Sequence, residues 1–137
     1  MYLDVDPLQY AFDPDIGFSL MHRGNISLFT LQLELSDERK SAVLSDWLDR
    51  KIHVTRDHTA DQKGYEDFFS EFKKRVRIPY RYAEAIYRSA YMHHFYSSDA
   101  RAKFWRRWEP QLDRTLGVPP WIEDQLQKYH PPVGDLP

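Results

Sequence analysis

The stretch from Ile78 to Trp108, IPYRYAEAIYRSAYMHHFYSSDARAKFWRRW, gathers the side chains best suited to chemistry. It holds the adjacent pair His93 and His94, a series of arginines and two of the four tryptophans. Imidazole titrates near neutrality, so a histidine here suits a general base or an anion contact. On a helix, neighbouring residues point about 100° apart, so the two rings cannot both face one ligand closely. His94 falls on an apolar stripe with Ala83, Ile86, Tyr87, Ala90 and Tyr91. A histidine in that position is either a packed residue with one satisfied hydrogen bond or a working base. The sequence leaves both readings open.

The cations Lys73, Lys74, Arg75, Arg77, Arg81 and Arg88 are interleaved with Tyr80, Tyr82 and Tyr87. Such a set suits nucleic acid or another anion. The sequence pI near 6.3 and the acidic flanks argue against nucleic acid. The plainer reading is the solvated face of helices. His53 and His58 stand near Asp57 and Asp61, but their spacing matches no standard zinc pattern, and no metal site is expected. The five glycines stand singly, so no glycine-rich loop is present to cradle a phosphate. No His-Glu-x-x-His run and no Gly-x-Ser-x-Gly elbow occurs. Without cysteine there is neither a disulfide framework nor a thiolate metal site.

The elements that must position these residues follow from periodicity. Phe18 to Met21 and Ile26 to Leu35 read as extended runs joined at Gly24-Asn25, a hairpin signal. Alternation in the second run puts Phe29, Leu31, Leu33 and Leu35 on one face. Ser36 before Asp37 and Glu38 is a helix cap with acids in the first turn, and predicts a helix to about Asp49. Lys51 to Thr55 is short and alternating, which suits another strand. Tyr65, Phe68, Phe69, Phe72 and Val76 form a single helical stripe, closed by Lys73, Lys74, Arg75 and Arg77. One helix is expected from Pro79 to about Phe95. Ser97 or Ser98 then caps another, with Phe104, Trp105 and Trp108 inward. Trp121, Ile122 and Leu126 suit a short helix that packs back, and the last residues are expected to be loose.

The chain has 137 residues, enough for one domain with a real core. Aromatics make up 15%, so that core should be built largely from rings. Charge is unevenly spread. Residues 1–72 carry 14 acids and 7 bases, whereas residues 73–107 carry 10 bases and 2 acids. A positive middle beside a negative flank suits either an anionic ligand or mutual attraction within the chain. No apolar run reaches the length of a membrane span. The start lacks a basic region followed by an apolar one, and a cytoplasmic protein is the expectation. The fold class expected is α+β, with partial α/β character. A hairpin or sheet edge over residues 1–35 would be followed by a mainly helical part over 36–110 and a Pro-rich tail over 111–137.

Several stretches together resemble the C-terminal half of bacterial capsular-polysaccharide sulfotransferases, members of the P-loop sulfotransferases. YAFDPDIG (Tyr10 to Gly17) resembles the family's aromatic-Pro-Phe-Asp turn. GNISLFTLQLEL (Gly24 to Leu35) resembles its Gly-Asn-Ile strand, and YEDFFSEFKKRV (Tyr65 to Val76) its aromatic helix. YRSAYMHHFYS (Tyr87 to Ser97) is similar to its Tyr-x-Ser-Lys-Tyr-x-x-His-Phe-Tyr-Ser signature, with Ala90 where a lysine is usual. The resemblance implies a carbohydrate acceptor and, in full-length members, the donor 3′-phosphoadenylyl sulfate. It points to Arg88, His94 and Tyr96 as acceptor or anion contacts. It also implies that the donor-binding P-loop precedes the matched region, so little activity is expected of this chain alone. An incomplete sheet would have open edges and favour self-association or a partner supplying the missing half. The competing expectation is a non-enzymatic helical interaction module.

Overall fold

The structure is a computed structural model and describes residues 5–55, 64–129 and 132–136. A short 3-10 turn at Pro7–Gln9 leads into an antiparallel hairpin, β1 (Phe18–Arg23) and β2 (Ile26–Leu31). Phe18 pairs with Leu31 and Arg23 with Ile26, so Gly24 and Asn25 make a two-residue turn. Gly24 has φ 61°, a conformation that such tight hairpin turns require and glycine adopts without a Cβ clash. The expected strand to Leu35 stops at Leu31. Beyond it the chain turns, Leu33 is 80% exposed, and the proposed single face of Phe29, Leu31, Leu33 and Leu35 does not form.

Helix α1 (Asp37–Leu48) starts where its cap signal lies, with the Ser36 hydroxyl accepting from Arg39 N at 3.2 Å. Phe29 of β2 stacks on Trp47 of α1 at 4.8 Å between ring centres, and Phe18 stacks on Phe29 at 5.8 Å. This ring column fastens the hairpin to α1. The segment 51–55 is no strand. Its backbone is bonded by side chains of α1 instead: Ile52 N donates to Ser45 Oγ at 2.8 Å and Val54 N to Ser41 Oγ at 2.9 Å. Two serines four residues apart on one helix face thus do the work of a neighbouring strand.

Helix α2 (Glu66–Arg75) carries the expected aromatic stripe, and the two-residue strand β3 (Ile78–Pro79) follows. The helix expected over Pro79 to Phe95 is two helices, α3 (Tyr80–Tyr87) and α4 (Ala90–Phe95). They are separated at Ser89, which is 1% exposed. The Ser89 hydroxyl donates to Ile86 O at 2.6 Å and accepts from Met92 N at 3.4 Å. One side chain therefore closes α3 and caps α4. Helix α5 (Ser98–Trp108) is capped by Ser97, and a 3-10 turn leads to β4 (Leu112–Asp113), which pairs in parallel with β3. Helix α6 (Pro120–Tyr129) packs back on α3 through the buried Leu126, while Trp121 stays 68% exposed. Tyr80 and Tyr87 of α3 meet Trp105 of α5 edge-on at 5.9 and 5.1 Å. Residues 132–136 are not loose: Val133 N donates to Arg88 O at 2.8 Å. Among the described residues the architecture is α+β, a hairpin followed by helices.

Replacing Ser89 by alanine leaves Met92 N without its cap and removes one of the two donors to Ile86 O, whose bond from the Ser89 amide remains. A loss of about 1–2 kcal/mol is expected, read as a lower urea midpoint at unchanged slope. Ser89→Thr, which retains the hydroxyl, should recover part of it.

Candidate functional site

The segment Tyr87 to Ser97 is where the distant parts of the chain meet. Its three sequence-derived candidates occupy different surroundings. Arg88 is a clamp. Its guanidinium donates from Nε to Gly134 O at 3.0 Å and lies 3.7 Å from a Glu84 carboxylate oxygen. It lines a small cavity of about 50 Å³ with Arg81, Glu84 and Glu123. Arg81 bridges Glu84 and Glu123 at 2.9 and 3.2 Å, which ties α6 to α3. Those two acids raise the Arg81 pKa, Glu84 first.

The two histidines face different neighbours, as a helical step of about 100° allows. His93 lies against Gly134, where a Cβ would overlap the imidazole ring. Burial lowers the His93 pKa, with the nearby charge of Arg101 acting the same way. His94 packs edge-on against Phe95 at 4.7 Å and lies 6.3 Å from the ring of Phe12. The Nε2 atoms of both histidines are buried without a hydrogen-bond partner.

Tyr96 borders a more promising opening. A cleft of about 190 Å³ is lined by Phe12, Thr30, Leu31, Gln32, Phe95 and Tyr96. Phe12 sits edge-on to Phe95 at 4.9 Å, which fixes one wall. Gln32 fixes the other: its amide nitrogen donates to Pro14 O at 3.3 Å and to Phe95 O. A single side chain past the end of β2 thereby joins the N-terminal turn, the hairpin and α4. The Tyr96 ring stands edge-on to Phe104 at 5.4 Å. Its hydroxyl donates to the carboxylate of Glu34, at 3.2 and 3.3 Å from the two oxygens. Burial first, then the charge of Glu34, pushes the Tyr96 pKa up to about 12. The phenol is therefore held as a donor at neutral pH.

His94 and Tyr96 are thus linked through Phe12 and Phe95, whereas Arg88 belongs to the clamp around Glu84 and Gly134. Gln32 and Glu34 were not among the candidates. The signal was their place on the polar side of the alternating run Ile26 to Leu35. Of the basic residues, Lys74 and Arg75 pair with Glu71, and Arg77 caps the end of α2 through the carbonyls of Lys74 and Val76. A wider groove of about 490 Å³ lies between α2 and α5, lined by Phe69, Phe72, Lys73, Ile78, Arg107 and Trp108 among others. No group of three or more His, Asp or Glu side chains fit to hold a metal occurs among the described residues. His53 is exposed, and His58, Asp57 and Asp61 lie outside the described residues.

Fold and site together define a small α+β protein whose cleft is built by a hairpin end, an N-terminal turn and a short helix. Residues 2–97 match the NKWYS family, described as putative capsular polysaccharide synthesis protein, and the chain belongs to that family. The matched residues include every residue that lines the Tyr96 cleft, and they end where α5 begins. No curated protein and no solved structure matches the chain. No helix among the described residues is long and apolar enough to cross a membrane.

A folded-state pKa above the tyrosine value of 10 means that native Tyr96 holds its proton more tightly than the unfolded chain does. Its contribution to stability is full below pH 10 and is lost as pH rises from 10 toward 12. Urea midpoints measured between pH 9 and 11 should fall more steeply for the wild type than for Tyr96→Phe.

Proposed function

We propose that this protein acts in capsular polysaccharide synthesis as a sulfotransferase-like protein that holds a carbohydrate acceptor in the Tyr96 cleft. The observation that carries the reading is the Tyr96–Glu34 pair beside the rings of Phe12 and Phe95. A sugar presents an apolar ring face and a rim of hydroxyls. Aromatic walls with a few fixed polar groups suit that combination. Glu34 accepts from a hydroxyl, Tyr96 fixes the carboxylate, and Thr30 adds a further polar group to the lining. The family description supports the polysaccharide context. The similarity of Tyr87–Ser97 to the sulfotransferase signature supports the transferase type.

The donor 3′-phosphoadenylyl sulfate finds no fitted cradle among the described residues. Gly17, Gly24 and Gly64, the glycines with positive φ, stand singly in turns. No transfer step is derived for this chain, and the reading concerns the acceptor. The alternative of a helical interaction module is favoured by one observation, the exposed rings of α2.

Titration of the chain with capsular oligosaccharides, followed by saturation-transfer NMR and calorimetry, tests acceptor binding. Tyr96→Phe and Glu34→Gln are each expected to weaken it about tenfold, the worth of one hydrogen bond to a charged group. Equal binding by both variants and the wild type would remove the cleft as the acceptor site. A thermal-shift titration with 3′-phosphoadenosine 5′-phosphate is expected to be flat. A clear shift would place a donor site in this chain.

A further inference from the structure

Helix α2 leaves its apolar face uncovered. Tyr65, Phe68, Phe69 and Phe72 lie at i, i+3, i+4 and i+7, one stripe along the helix. Phe68 is 73% exposed and Phe72 51%. The stripe runs into the groove whose other wall is Arg107 and Trp108 of α5. Cations edge this surface. Lys73 Nζ sits 4.4 Å over the centre of the Phe69 ring, and Arg107 faces it across the groove. Arg77, two residues past α2, and Arg106, beside Arg107, are exposed near the same end. Glu71 is the acid closest along α2, and it is engaged by Lys74 and Arg75.

We propose that α2 and the C-terminal end of α5 form a docking surface for an anionic lipid bilayer. Phe68, Phe69 and Phe72 enter the acyl boundary, Trp108 lies at headgroup level, and Lys73 and Arg107 meet lipid phosphates. Exposed phenylalanines on one helix face, flanked by cations whose stems run along the rings, are the pattern of an interfacial helix. Shallow insertion needs no spanning helix, which agrees with the absence of one among the described residues. A second copy fits less well. An antiparallel pairing of α2 with a second copy would set Lys73 near Glu66 and Asp67, but the groove lining offers Arg107 no acid. An anionic bilayer supplies the countercharge and the apolar phase together.

Co-sedimentation of the full chain with vesicles tests this. Vesicles of phosphatidylcholine alone should retain little protein, and those with about 30% phosphatidylglycerol should retain most of it at low salt. Raising sodium chloride to about 0.5 M should cut retention about tenfold. Phe68→Ser with Phe72→Ser should lower binding at least tenfold while the circular dichroism spectrum stays as in the wild type and the melting temperature falls by only a few degrees, because Phe68 is exposed and Phe72 is half-exposed. Lys73→Glu with Arg107→Glu should abolish the preference for the anionic vesicles. Failure to bind either vesicle, or binding that survives both double variants, overturns the proposal. So does a lipid-free dimer in sedimentation velocity that Phe68→Ser with Phe72→Ser dissolves, since a second copy would then occupy the face.

Discussion

The hydroxyl of Ser89 is the pivot on which the helical part turns. It is buried, it donates to the last turn of α3, and it accepts from the first turn of α4. A hydroxyl can do both at once, which is why one residue suffices to redirect a helix here. The redirection has two results. It lets Tyr87 stay buried against Trp105, and it swings His94, Phe95 and Tyr96 toward the hairpin. Without the bend, α4 would continue along α3 and the cleft would have no helical wall.

The cleft therefore depends on contacts between segments far apart in the chain. Gln32 reaches Phe95 across 63 positions, and Glu34 reaches Tyr96 across 62. Both ties are polar and start just beyond β2, where the strand pairing has ended. The hairpin is held to α1 by stacked rings, and α3 to α5 by edge-on rings, so the aromatic share of the sequence is spent on seams between elements rather than on one central core. Among the described residues, the buried apolar ones, Met21, Val43, Ala83, Tyr87 and Leu126, are spread over those seams.

Local chemistry was the legible part. Ser36 announces its helix, one of the two serines Ser97 and Ser98 caps α5, Gly24-Asn25 announces the hairpin, and the stripe of α2 gives its span. The bend at Ser89 was hidden because the apolar positions keep helical spacing from Ala83 through His94, and a serine on that path looks neutral. Residues 51–55 read as a strand because alternation reports an extended backbone and cannot say what bonds it. Here the partners are serine hydroxyls of a helix. Periodicity also cannot tell an apolar stripe that meets a neighbour from one that does not, so the exposure of α2 had no signal in the sequence. Arg88 illustrates the same limit for a site. Its type and place in the signature suggest an anion contact, whereas its geometry holds a backbone carbonyl of the last segment.

The paired histidines have a consequence for the order in which the molecule can be completed. His94 rests near Phe12, ahead of the hairpin, and His93 rests against Gly134, beyond α6. The His94 side of α4 is covered by a segment that precedes it in the sequence, whereas the His93 side needs one that follows it by about 40 positions. The cleft walls can thus form without the segment that covers the other flank of α4, and Gly134, with no side chain to obstruct the imidazole, is the residue that covers it.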